Sequence, residues 1–141
     1  LKAMEGDFYI NNKDAWKTWG ANMGDSFLEN LLTPPPAKSY VTNKSRAEDG
    51  KQVLYNNPRL DERDVQLTIT IEGSTLSEYL QRYESFLNEI ANGEILLKVP
   101  ILKRVYKLYY SSSPSQVVGR LGFGKFIFSF NEPNPKDREL I

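Results

Sequence analysis

The chain has 141 residues, with 18 Lys and Arg balanced by 18 Asp and Glu, and it contains neither His nor Cys. That length fits one domain, residues 1–141, large enough to bury a hydrophobic core. The missing residue types exclude a disulfide framework, a thiolate nucleophile, an imidazole general base and the commonest zinc ligands. At 40% hydrophobic and 12% aromatic the composition is that of a globular protein, and its aromatic side chains fit strands well. No apolar run approaches the roughly 18–20 residues of a membrane helix. Leu1–Gly6 lacks the apolar core of a signal peptide. Met4 reads as a starting methionine, with Leu1–Ala3 ahead of it.

In chain order, Asp7–Ile10 reads as a short strand and Asn11–Asn12 as a polar turn. KDAWKTWG then makes one or two helical turns, with Trp16 and Trp19 three apart on one face and Gly20 as the stop. DSFLENLLTPPP predicts a second short helix. Asp25 or Ser26 is placed to cap it, Phe27, Leu28, Leu31 and Leu32 fall at helical spacing, and Pro34–Pro36 end it in an extended run.

KSYVTN is a short strand, followed by a polar, charged excursion with turn signals at DG and NNP. A structureless loop of that length is uncommon in a compact domain. KQVLYN is placed to pair with SYVTN as a protruding hairpin or arm over about 43–64. DVQLTITIEG is the clearest strand, since Val65, Leu67, Ile69 and Ile71 alternate with polar residues. The clearest helix covers 75–92. It has a capping box at Thr75 and Glu78, an apolar stripe from Leu76 to Ile90, and Gly93 where a C-cap is expected.

Strands resume with EILLKVPI and then RVYKLYYSS, where Val105, Leu108 and Tyr110 compete for the core side. SQVVGRLG and FGKFIFSFNEP follow, the latter with Phe126, Phe128 and Phe130 alternating with Ile127 and Ser129. NEPNPKDREL is a proline-marked exit. This order predicts an α+β fold: a mostly antiparallel sandwich or barrel, one long helix packed on it, short N-terminal helices and an arm.

Few residues suggest chemistry. Asp61, Glu62 and Asp64 form a carboxylate cluster, but they alternate sides along an extended chain and Arg59 and Arg63 stand beside them. Surface or interface ion pairs are expected there rather than a metal or acid–base site, and no cofactor is expected. GRLGFGKF (Gly119–Phe126) has the glycines of a phosphate loop without the following helix, so a bent strand or hairpin corner is expected. Ser111–Ser115 reads as a turn; without His a Ser-His-Asp triad is impossible, which leaves a Ser–Lys pair as the catalytic alternative to the turn. Trp16 and Trp19 have faces suited to stacking a base or sugar, but on so short a helix they are expected to plug the core edge.

Charge is unevenly spread. Lys98, Lys103, Arg104, Lys107, Arg120 and Lys125 lie between Ile95 and Asn131 with no acid among them. Solvated strand faces account for this, as does a basic surface meeting an acidic neighbour or nucleic acid. A nucleic-acid-binding domain carries a basic excess overall, which this chain lacks. The excursion, by contrast, balances Lys44, Arg46, Lys51, Arg59 and Arg63 against Glu48, Asp49, Asp61, Glu62 and Asp64. Those ten residues are the candidate oligomer interface: an arm docking on a neighbouring subunit accounts for both length and balanced charge.

Read together, FYINNKDAWKTWGANM, SFLENLLTPPPAKSYVTN, RLDERDVQLTITIEG and FNEPNP resemble the distal tail proteins of tailed phages and prophages. The resemblance spans nearly the whole chain and rests on order and spacing rather than one strict motif. It implies a structural virion protein, not an enzyme, with a tail-tube-like β fold. It implies a hexameric ring of self-associating copies that joins the tail tube to the host-adsorption device through other tail proteins. It places the protein in the virion tail, and in the host cytoplasm during assembly, with no membrane and no specific nucleic acid as partner. Larger members carry a carbohydrate-binding-like C-terminal domain. Ending at NEPNPKDRELI, this sequence is expected to lack it and to serve as a hub rather than in direct host recognition. The alternatives are a tail-tube or contractile-secretion tube subunit, and a monomeric module binding carbohydrate or nucleic acid through Ile95–Asn131.

Overall fold

Two short strands begin the described chain, β1 (Tyr9–Ile10) and β2 (Lys13–Asp14), joined by Asn11 and Asn12, both at positive φ. Two consecutive positive φ values are what a tight hairpin turn demands, and Asn tolerates them. The computed structural model describes residues 5–37, 41–43, 52–54, 60–120 and 122–141, with backbone alone at 41–43, 52–54, 115 and 117–120.

Helix α1 (Ala15–Trp19) starts where Asp14 Oδ1 accepts the N–H groups of Trp16 and Lys17 at 3.0 and 3.2 Å. It ends at Gly20, whose φ of 61° is the left-handed conformation expected of its stop. Strand β3 (Ala21–Met23) leads to α2 (Phe27–Leu31). Here the expected cap fails: Ser26 sits at φ 62° and its side chain makes no capping bond. Burial of Phe27 and Leu31 in the core holds this short helix instead.

The predicted hairpin forms: β4 (Val41–Asn43) pairs antiparallel with β5 (Gln52–Leu54), Thr42 opposite Val53. Strand β6 (Arg63–Glu72) then alternates as expected, with Val65, Leu67, Ile69 and Ile71 buried. Helix α3 (Leu76–Ile90) is capped by Thr75 Oγ1, which accepts from Glu78 N–H at 3.1 Å. The Glu78 carboxylate reaches back to Ser74 N–H, also at 3.1 Å. The C-cap is Ala91 rather than Gly93, which lies two residues further on at φ 106°.

Strand β7 (Ile95–Val99) and a 3₁₀ turn (Pro100–Leu102) lead into β8 (Arg104–Arg120). The turn expected at Ser111–Ser115 is absent; β8 runs through it as one strand of 17 residues. Its pairing with β9 (Phe123–Glu132) slips between Tyr110 and Ser112 and again between Ser112 and Ser115. The serines and Pro114 are thus absorbed as bulges on a strand whose β7 side has no partner there among the described residues, where proline's missing N–H is tolerated. Strand β10 (Glu139–Leu140) closes the described chain against β8.

All pairings are antiparallel, and the main sheet runs β2-β1-β7-β8-β9-β6-β3. Strand β8 belongs to both halves: Arg104–Leu108 pairs with β7, and the stretch beyond pairs with β9. The sheet curls around this shared strand into a half-barrel with α3 packed on it. Trp19 meets Phe86 edge-on at 5.4 Å, Phe86 lies 5.4 Å from Phe128, and Tyr83 stacks on Phe126 at 4.9 Å. Each such side chain stabilises the fold by about 1.5–3 kcal/mol through burial. The core side of β8 is Tyr106, Leu108 and Tyr110 rather than Val105. Pairing Leu97 with Tyr106 and Ile95 with Leu108 fixes that phase and turns Val105 outward beside Lys98.

Candidate functional site

The excursion is closed at its root. Ala37 and Leu60 form an isolated antiparallel bridge, and Asp61 N–H donates to Pro36 O at 2.7 Å. Of the ten charged residues expected at an interface, Lys44, Arg46, Glu48, Asp49, Lys51 and Arg59 lie outside the described residues. Asp61 is half-buried, and its carboxylate accepts the adjacent Glu62 N–H at 2.8 Å. Glu62 and Asp64 are exposed; Asp64 Oδ1 accepts Asn131 Nδ2 at 3.0 Å. Among the described residues, none of these three acids forms an ion pair.

Arg63 departs from the expected surface position. It is 2% exposed and points to the core side of β6. Its Nε lies 2.9 Å from Glu132 Oε1, and Nη1 donates to Leu31 O and Thr33 O at 2.7 and 2.6 Å. The cause is strand phase: Arg63 continues the alternation of Val65, Leu67, Ile69 and Ile71 by one step. Glu132 continues that of Phe126, Phe128 and Phe130 in the same way, and the two are register partners. An opposite-charge pair therefore caps the inner face of the sheet.

Arg138 completes the group. Its Nε donates to Glu132 Oε2 at 2.8 Å and its Nη2 to Oε1 at 2.7 Å, the bidentate geometry that suits a carboxylate. The Glu132 bond holds the Arg138 guanidinium above its usual pKa, while burial pushes that of Arg63 down against the pull of Glu132. Tyr106 sits near both, its ring 5.9 Å from Arg63 Cζ and 5.0 Å from Arg138 Cζ. Glu132, Arg138 and Tyr106 were not singled out by motif; alternation carried to the ends of both strands points to the Arg63–Glu132 pair, while nothing local signals Arg138.

The basic stretch is not one continuous basic face. Lys107 pairs with Asp137 at 3.0 Å, Lys125 with Asp25 at 3.0 Å, and Lys98 lies over the Tyr9 ring at 5.2 Å. Trp19 plugs the core as expected, its Nε1 donating to Ser85 Oγ at 3.0 Å, while Trp16 is half-buried. The Gly119–Phe126 stretch is the expected hairpin corner: Gly122, at φ 87°, follows β8, and β9 follows it. Among the described residues no group of three or more Asp and Glu gathers to hold a metal ion, and no helix is long and apolar enough to cross a membrane.

Among the described residues, one side of β8 is left unpaired. Beyond Leu108, no strand among the described residues pairs with the β7 side of β8. The edge of β6 is treated differently. β3 covers Ile69–Ile71, Gly24 N–H bonds Thr68 O at 2.7 Å, and Asn30 Nδ2 bonds Gln66 O at 2.7 Å. The β8 edge presents exposed Tyr109, Ser111, Ser112, Ser113, Pro114 and Gln116.

No family model and no curated protein sequence matches the chain. Among solved structures, the SPP1 Dit (gp 19.1) protein superposes on it with a TM-score of 0.64, over 92% of this chain and 50% of that one. Over that matched half of Dit, the two share a fold. Dit is described as a paradigm of the hub adsorption apparatus in phages that infect Gram-positive bacteria. The two are 13% identical, so the likeness is one of fold, and this chain spans half the length of Dit.

Proposed function

We propose that the chain is a structural component of a phage or prophage tail: a distal tail protein that self-assembles into a hexameric ring linking the tail tube to the tail-tip adsorption apparatus. The observation that carries the reading is the likeness to a phage hub protein over 92% of the chain. The open β8 edge supports it, since unpaired backbone N–H and C=O groups are a template for a strand from another copy. The excursion is the second contact. With Arg63 turned inward, the remaining charges add about 0–1 kcal/mol per exposed pair, and they set register and reject wrong pairings more than they add affinity. In this reading the protein works in the virion tail beside other tail proteins, after assembly in the host cytoplasm.

Light scattering across concentration and salt, with electron microscopy of the same samples, tests the reading. A discrete multimer with ring images is expected. Stacked rings growing into tubes would favour a tube subunit. A monomer under every condition, binding DNA or glycan in a salt-dependent way, would overturn the proposal in favour of a binding module.

A further inference from the structure

We infer that the C-terminal segment, residues 133–141, is a latch on the root of the excursion, and that Glu132 is the group through which each holds the other. The coupling does not depend on whether the chain forms a ring. Three parts of the chain meet at this one carboxylate, which is fully buried. The outgoing limb arrives through Leu31 O and Thr33 O, the carbonyls just before Pro34–Pro36, both held by Arg63 Nη1. The return limb arrives through Arg63 itself, three residues after the Ala37–Leu60 bridge. The tail arrives through Arg138, which bonds both Glu132 oxygens.

The bonding is unequal, and that makes the tail a controlling part. Arg63 Nε is close to Glu132 Oε1, but its N–H is not aimed at it; Nε and Nη2 have no hydrogen-bond partner. Arg138 supplies every hydrogen bond that Glu132 receives among the described side chains. Without Arg138 the carboxylate keeps only the misaligned Arg63 beside it. A shift of the Arg63 guanidinium to satisfy it draws Nη1 away from Leu31 O and Thr33 O.

Elsewhere the segment is held mostly at the surface. β10 contributes two residue pairs to β8, Ile141 N–H reaches Lys103 O at 3.3 Å, Asp137 pairs with Lys107 at 3.0 Å, and Pro135 is buried while Leu140 and Ile141 remain exposed. A segment with so few buried contacts opens at low cost while the core stays folded. Coupling of this kind is reciprocal, so loosening the root must also loosen the tail.

Hydrogen exchange followed by mass spectrometry on the full chain tests this with Arg138→Ala. Peptides covering 28–37 and 60–64 should exchange at least about tenfold faster, the least expected when the two charge-assisted hydrogen bonds from Arg138 are lost. Peptides over 133–141 should speed up with them, and α3 should be unchanged. Acceleration confined to 133–141, a uniform rise that includes α3, or no change would each overturn the inference. The reverse variant, Arg63→Met, should accelerate exchange over 136–141; a tail as protected as in the unaltered chain would overturn it equally.

Discussion

Glu132 holds two guanidiniums on a carboxylate that water does not reach. Such a group adds modest net stability while intact, because desolvation offsets most of its attraction, but removing one charge leaves the others buried and unbalanced. Glu132→Gln should therefore lower unfolding stability by about 3–5 kcal/mol, read as a drop in the urea midpoint without a change in slope. Gly20 is constrained by backbone and by space. At φ 61° any other residue pays left-handed strain of about 1–2 kcal/mol, and a Cβ there would stand 2.3 Å from Glu72 O. Gly20→Ala should cost at least that much in the same unfolding measurement. Gly20 was legible as a helix stop because its position after Trp19 is a local signal. The contact with Glu72 was not, since it depends on β3 pairing with β6.

At the scale of elements, α3 is fastened to the β1–β2 hairpin by one side chain. Glu89 accepts Asn11 Nδ2 at 2.7 Å and pairs with Lys13, while Asn11 Oδ1 takes Leu96 N–H at 2.9 Å. Helix, hairpin and β7 thus share a joint, and the bonds from Lys13 and then Asn11 hold the Glu89 carboxyl below its ordinary 4.5. A carboxyl depressed in the folded state stabilises fully above its unfolded value, and that contribution is lost as pH falls through the folded one. Urea midpoints measured from pH 7 downward should show this loss beginning near pH 4.5 and extending below it. Glu89→Gln should be less stable at neutral pH and fall less steeply on the acid side. An unchanged acid slope in the variant would show that other carboxylates set it. Elements with a strong period, β6 and α3, were readable from sequence. Strand β8 was not, because four serines and a proline carry turn chemistry, and only the pairing with β9 decides that they bulge instead.

For the whole molecule, alternation and capping predict a curled antiparallel sheet with one long helix, and even the β4–β5 pairing. Sites set by distant partners, above all the inward turn of Arg63 towards Arg138, stayed hidden. The excursion is where fold and proposed function separate. Its root is closed by the Ala37–Leu60 bridge, the Asp61–Pro36 hydrogen bond and the Arg63 contacts to Leu31 and Thr33, none of which lies within 44–57. Deleting Lys44–Asn57 joins residue 43 to residue 58 and leaves a shorter loop across the same bridge, and closing a shorter flexible loop costs less entropy. The deletion should therefore leave a folded chain with a melting temperature close to that of the parent and the same far-ultraviolet circular dichroism. If the excursion docks on a neighbouring copy, the same protein should run as a monomer in light scattering where the parent is a multimer. A folded deletion variant that still assembles would remove the excursion from the assembly mechanism and leave the open β8 edge to carry it alone. An unfolded one would mean that the excursion stabilises its own subunit, which its closed root argues against.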